Sequence, residues 1–220
     1  MSTEPRDETG VRVRSAAVDL FAKKGFTAVG IREIADAAGI KTATLYHYMT
    51  AKEDLLVDIM TSVIKPLTEA ATAAVREYER PSEQLVCLME MHVWVHGGRP
   101  RSTLVSDTEL RSLSEVALKE ISLIRDEYED IWRNVVRAGR KSGEFTVEHD
   151  TVTTSGLLTL GTGVAHWYRL GGAISLAELC SMHSDLALAL VRAQDASGAI
   201  RRPAVQVGPP REVLSPDPSL

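Results

Sequence analysis

Apolar residues recur along this chain at intervals of three and four, with no alternating run of useful length, so the pattern predicts helices throughout. Val13, Ala16, Ala17, Leu20 and Phe21 form the stripe of a first helix over about 8–24, which Gly25 ends. Ile31, Ile34 and Ala35 share one face of a short second helix. Gly39 then tolerates the positive φ with which a helix stops in a sharp turn, and Ile40 reads as the buried plug of that turn. A further short helix over 42–48 points Leu45 inward. A longer one over 52–78 carries Leu55, Leu56, Ile59, Met60 and Val63 on one side. Pro66 lies inside it and predicts a kink, because proline removes a ladder hydrogen bond.

Pro81 fits the first position of the next helix, which carries Leu85, Leu88, Met89, His92 and Val93 and stops at Gly97 and Gly98. The stretch GGRPRS reads as a loop. A short helix follows over 104–113, then a long one over 114–142 with Ile121, Ile124, Tyr128, Ile131, Trp132 and Val135 at helical spacing. Two more cover 150–170 and 175–193, and Ser175 with Glu178 is a capping-box signature. Prolines, glycines and charges dominate 195–220, which reads as a disordered tail.

The fold class is therefore all-α. Residues 7–67 are expected to form a three-helix head and 68–194 a body of about six helices. No run approaches the length of apolar residues that spans a bilayer, and the first ten residues lack the apolar core of a signal peptide. Both point to the cytoplasm. Cys87 and Cys180 sit far apart in apolar helical patterns and read as buried free thiols. His92 and His96 stand at metal-ligand spacing on one helix, but no third ligand accompanies them, so no metal is expected. Gly161-Thr162-Gly163 follows no strand, so it is not a phosphate loop and reads as room for close helix approach. No cofactor motif, nucleophile elbow or metal cluster supports an enzyme.

The chain's net charge of −5 is unevenly spread. Up to Lys52 there are 8 basic and 6 acidic residues, and the remainder carries the excess of acid. A mildly basic head on an acidic body suits a nucleic-acid partner held by a few placed contacts and by dimerisation. The region from Gly30 to Met49 supplies the shape for it. Two helices joined by a short glycine-containing turn form a helix-turn-helix. The face opposite Leu45 carries Thr42, Thr44, Tyr46, His47 and Tyr48, whose side chains can meet phosphates or base edges. Tyr46 and Tyr48 cannot both face DNA at a spacing of two on a helix. Tyr46 is expected outside and Tyr48 partly packed.

Three motifs in order, AAVDLFAKKGF, GIREIADAAGI and ATLYHYMTAKEDLL, closely resemble the TetR family of bacterial transcriptional repressors. The order Tyr46, Tyr48, Lys52, Glu53 and two leucines is specific to it, and the resemblance covers about 8–64. It implies a homodimer that binds palindromic double-stranded operator DNA and is released by a small-molecule effector. Carried onto this chain, it implies base contacts from Thr42 and Ala43, and phosphate contacts from Thr44, Tyr46 and His47. Lys52 is implied beside the DNA backbone, with further contacts from Thr27 and Arg32. Two positions depart from the family. Lys41 stands where the recognition helix often has a serine cap, and Gly30 caps the preceding helix where Ser or Thr is common. The lysine weakens the cap but puts a cation beside the groove.

In the body, Met89, His92, Val93, His96, Tyr128, Trp132 and Trp167 together give the aromatic, polarisable lining that an apolar or amphipathic effector needs. The segment AHWYRLGGAISLAEL resembles one in actinobacterial members, some of which respond to acyl-CoA thioesters. Dimerisation is expected through the last two helices, with Leu157, Gly161, Val164, Leu179, Leu186 and Leu190 between or behind them. The alternatives are a DNA-binding protein without an effector and, behind it, an enzyme.

Overall fold

A computed structural model describes residues 4–195, 197–199 and 203. Its elements run α1 (Glu4–Lys24), α2 (Ile31–Ala37), α3 (Thr42–Leu45), α4 (Lys52–Glu77), α5 (Pro81–Gly98) and α6 (Pro100–Thr108). A 3₁₀ turn, Leu110–Ser112, precedes α7 (Glu115–Ser142), α8 (Asp150–Thr162), α9 (Val164–Trp167) and α10 (Leu176–Leu190). A two-residue antiparallel hairpin, β1 (Gln194–Asp195) with β2 (Gly198–Ala199), closes the described chain. Of the expected tail, Asp195 and 197–199 lie in or beside this hairpin, and most of the rest lies outside the described residues. Among the described residues, no helix is long and apolar enough to cross a membrane.

The chain forms two compact units. The first holds the described residues up to Val63 and also Arg101–Ser122. Sequence periodicity alone groups that second segment with the body. Its core includes Val13, Ala17, Phe21, Ile34, Ala35, Leu45, Leu56 and Ile59, all buried. Burial of a single leucine such as Leu45 contributes about 1.5–3 kcal/mol. The helix-turn-helix turn is a Schellman motif. Gly39 sits at φ 67°, its N–H donates to Asp36 O at 3.1 Å and Ile40 N–H donates to Ala35 O at 3.0 Å. Only a residue without Cβ adopts that φ without strain. Ile40 is half-buried rather than a fully buried plug.

α3 is shorter than the 42–48 expected. Neither Gly30 nor Lys41 caps its helix with a side-chain hydrogen bond. After Leu45 the chain tightens to i→i−3 bonds, His47 N–H to Thr44 O at 3.1 Å and Tyr48 N–H to Leu45 O at 2.9 Å. α4 starts where the Asp54 carboxylate accepts Thr50 N–H at 2.7 Å and Ala51 N–H at 2.8 Å. It continues through Pro66 as one helix.

The second unit holds Ile64–Pro100 and the described residues from Leu123 onward. α5 is its centre, apolar on all sides and packed against α10, α8 and α9. Gly97 permits the approach, since a Cβ there would lie 2.6 Å from Leu176 Cδ1. The Glu144 carboxylate ties down the start of α5, accepting Arg80 Nη2 at 2.8 Å and Ser82 Oγ at 2.6 Å. Ser175 and Glu178 complete their capping box at the start of α10.

Two expected boundaries change. GGRPRS is not a loop: only Arg99 separates α5 from α6, because Pro100 occupies a first-turn position where its missing N–H costs nothing. The expected helix over 150–170 breaks at Gly163 into α8 and α9. Tyr168 then turns extended, with its hydroxyl donating to Ile174 O at 3.0 Å.

Candidate nucleic-acid interface and buried polar core

In the first unit, α3 and its turn separate an inward from an outward set. Leu45 and Met49 are buried. Lys41, Ala43, Tyr46 and His47 are exposed, and Thr42 and Thr44 are half-exposed. Tyr46 shows 53% of its surface to solvent, whereas Tyr48 is half-buried with its ring beside Gly10. Thr27 and Arg32 are exposed on the flanking segments. The structure thus leaves three threonine hydroxyls, a phenol, an imidazole and two cations open to solvent on α3, its turn and the flanking segments. This set suits phosphate oxygens and base edges.

Lys52 is placed differently. Its Nζ donates to Phe26 O at 2.7 Å and to Val29 O at 2.8 Å, and stands 4.2 Å from the centroid of the Phe26 ring. The ammonium is turned into the head, against the loop between α1 and α2. Burial lowers its pKa, and the charge of Glu109 partly offsets that. The resemblance implies Lys52 beside the DNA backbone; in the structure two of its three donors go to backbone carbonyls of the α1–α2 loop.

In the second unit Met89, His92, Val93, His96, Tyr128 and Trp132 are all buried. His92 organises them. Its Nδ1 lies 3.0 Å from the Tyr128 hydroxyl and its Nε2 lies 3.1 Å from Thr162 Oγ1. Its ring is T-shaped to Trp132 at 5.6 Å and 4.1 Å from the His96 ring. His96 Nδ1 lies 2.8 Å from the His92 carbonyl oxygen and donates to it. Burial, with His96 nearby, holds the His92 pKa well below the usual histidine range, so its imidazole is neutral. One ring nitrogen then donates and the other accepts. Burial likewise pushes the Tyr128 phenol up. The Trp132 N–H lies near enough to the Tyr128 oxygen to offset a little of that rise, but it is buried without a hydrogen-bond partner.

Trp167 is the exception among the expected lining residues. It is 53% exposed, lies on α9, and stacks on His183 at 6.4 Å. The helix break at Gly163 turns it away from the His92 cluster. Thr162 belongs to the cluster instead; the sequence gives no sign of it, because Gly161-Thr162-Gly163 has the composition of a close-packing stretch. The expected dimer residues also divide. Leu157, Gly161, Val164 and Leu179 are buried within the single chain, while Leu186 and Leu190 are exposed. Met182, at helical spacing before them, is exposed too, as are Val152 on α8 and Trp167. The exposed large apolar residues of α10 are thus Met182, Leu186 and Leu190. The buried leucines are core of the protomer. The Cys87 thiol is buried and pushed up to about 12, so it is unreactive.

Residues 13–59 match the family model described as bacterial regulatory proteins, tetR family, and residues 78–191 match the tetracyclin repressor-like C-terminal domain. The HTH-type transcriptional repressor KstR2 of Rhodococcus jostii is 25% identical over 196 residues, covering 86% of this chain and 96% of that protein. A crystal structure of a tetR-family regulatory protein from Rhodococcus RHA1 superposes with a TM-score of 0.78 at 26% identity, covering 89% of this chain and all of the other. The structure of AibR in complex with isovaleryl coenzyme A and operator DNA has a TM-score of 0.70 at 21% identity, covering 80% of this chain and 97% of its own.

Proposed function

Because this chain belongs to the TetR family of DNA-binding transcriptional regulators, we propose that it is a repressor that binds a palindromic operator as a homodimer and lets go when a small effector occupies its body. The observation that carries this reading is the exposed set Lys41, Ala43, Tyr46 and His47 around a buried Leu45. It leaves a short recognition helix held from behind and open in front. A single head with so few cations holds DNA weakly, so two copies must act together, with their recognition helices roughly 34–36 Å apart in successive major grooves.

The dimer forms through α8 and α10, by Met182, Leu186, Leu190 and Val152, with Trp167 contributed by α9. Apolar surface exposed in that way is characteristic of an interaction face. The effector enters the buried core around His92. It is apolar or amphipathic and carries a hydrogen-bond acceptor, which suits the unpartnered Trp132 N–H. An acyl-CoA thioester meets that description, and the isovaleryl coenzyme A bound by AibR supports it. To act, the effector must bind the DNA-incompetent state better than the competent one. α4 runs from the first unit into the second, and Pro66 interrupts its hydrogen-bond ladder just past that crossing, which makes α4 the element to be moved.

The test is selection of duplexes from a random library by the full-length protein, followed by anisotropy on the selected sequence. A two-fold symmetric site that Tyr46→Ala weakens, and that acyl-CoA thioesters release, is the expected result. Enrichment of no sequence, or of one asymmetric half-site, would overturn the dimeric DNA reading. A symmetric site unaffected by any thioester would point instead to an effector-independent DNA-binding protein.

A further inference from the structure

The peptide unit of Phe26 is held from both sides. Its N–H donates to Glu109 Oε1 at 3.3 Å, and its carbonyl accepts Lys52 Nζ at 2.7 Å. The same ammonium takes Val29 O and covers the Phe26 ring. Glu109 is fixed in turn, since its other carboxylate oxygen accepts Ser112 Oγ–H at 2.8 Å. Gly25, just before, has its Cα so close to Glu109 that a Cβ would lie 3.5 Å from Oε1. The loop clamped in this way joins α1 to α2 and exposes Thr27. Glu109 comes from far along the chain, after α6, in a segment that packs with the head. Two further contacts hold that segment. Ser114 Oγ donates to Glu53 at 3.2 Å, and Arg101 pairs with Asp19 at 2.8 Å.

We propose that Glu109 is a positioning residue for DNA reading: together with Lys52 it clamps the Phe26 peptide, and Lys52 serves DNA binding through this clamp rather than by touching a phosphate. This rests on the head being the DNA-binding part. The geometry gives the clamp a direct logic. An ammonium has three donors; here two go to carbonyls and its remaining face lies on a ring. Little of its charge is left for a phosphate. A carboxylate beside a DNA-facing loop is unfavourable to DNA by charge alone. Its presence there makes sense only as a structural partner of the loop. α6 follows α5 after a break at Arg99 alone, and Glu109 stands just past α6 in the segment Arg101–Ser122 that belongs to the first unit.

The discriminating measurement is the salt dependence of binding to a duplex selected by the wild-type protein. Lys52→Met and Glu109→Ala should each weaken binding roughly tenfold with an unchanged slope of log K against log salt. The double variant should be no worse than either single one, and Glu109→Gln, which keeps an acceptor for Phe26 N–H, should recover most of the loss. Hydrogen exchange of the Phe26 amide in protein without DNA should quicken in Glu109→Ala and much less in Glu109→Gln. That readout needs no DNA, so it tests the clamp even where the DNA reading fails. A slope that falls by about 0.9 in Lys52→Met would make Lys52 a phosphate contact and overturn the proposal. Tighter binding by Glu109→Ala, or an unchanged Phe26 amide in it, would overturn it as well.

Discussion

A methyl group on Gly161 would stand 2.4 Å from Cδ2 of His92, closer than real Cβ atoms come to a neighbour. The ring cannot swing aside, because both of its nitrogens are engaged, by Tyr128 and by Thr162. Replacing a helical glycine by alanine ordinarily gains up to about 1 kcal/mol. Here overpacking costs about 1–3 kcal/mol, so Gly161→Ala should destabilise the protein. A methyl on Gly10 meets only the Tyr48 ring at 3.7 Å, an ordinary contact, so Gly10→Ala should leave stability unchanged or raise it. The urea midpoint should therefore fall in Gly161→Ala and stay level or rise in Gly10→Ala.

The same histidine makes stability depend on pH. His92 is neutral in the folded protein, its pKa held well below the usual range by burial and by His96, with Arg125 and His183 adding smaller repulsions. In the unfolded chain it takes a proton near its ordinary pKa of about 6.5. The unfolded state thus binds more protons as pH falls below that value. The stabilisation is complete above about pH 6.5 and shrinks by up to about 1.4 kcal/mol per pH unit below it, until the folded pKa is reached. Unfolding followed at pH 7.5 and 5.5, chosen as roughly one unit on either side of that pKa, should show the loss. In His92→Asn the dependence on pH over that interval should be shallower. An equally steep dependence in the variant would assign the effect to another group.

At the recognition helix, the exposed side chains should separate by what they touch. Lys41 is a cation at the N-cap, open to solvent. Lys41→Ala should weaken binding to all duplexes and lower the salt slope by about one. Thr42→Ala should instead change which bases are preferred, with a slope like that of the wild type, because a hydroxyl displaces no counterion. Anisotropy over a salt series, on the selected duplex and on point variants of it, measures both. A loss of slope in Thr42→Ala would break the assignment.

The head was largely legible because its residues do local work. The positive φ at Gly39 and the inward Leu45 follow from helical geometry. So does the split between an outer Tyr46 and an inner Tyr48, since two positions along a helix cannot share a face. Lys52 was not legible in the same way. A long ammonium goes wherever packing leaves carbonyls unsatisfied, and Phe26 and Val29 are brought to it only by the folded head. Nor could periodicity draw Arg101–Ser122 into the head, since its partner contacts, Glu109 to Phe26 among them, span much of the chain. GGRPRS carries the composition of a loop, yet proline in a first turn is as good a helix start as a breaker. In the body, α8 and α10 are rich in apolar residues on several faces, so pattern alone could not divide the core leucines from the exposed ones.

That division yields the clearest test of assembly. Leu179 and Leu186 are both leucines of α10, but Leu179 is 2% exposed and Leu186 is 51% exposed. A change at Leu179 strikes the protomer's own core. Leu179→Ala should cost about 2–5 kcal/mol of folding stability. Leu186→Glu should leave the fold of the protomer intact, because its side chain already meets solvent there. Placed in a self-complementary apolar face, the same carboxylate would meet its own symmetry mate and be desolvated beside it. The expected outcome is a dimer for the wild type by sedimentation at micromolar concentration and a monomer for Leu186→Glu, with near-wild-type helix content by circular dichroism. DNA affinity should fall with it, since each monomer keeps only one recognition helix. A Leu186→Glu protein that sediments as a dimer would move the interface away from the Met182, Leu186 and Leu190 face.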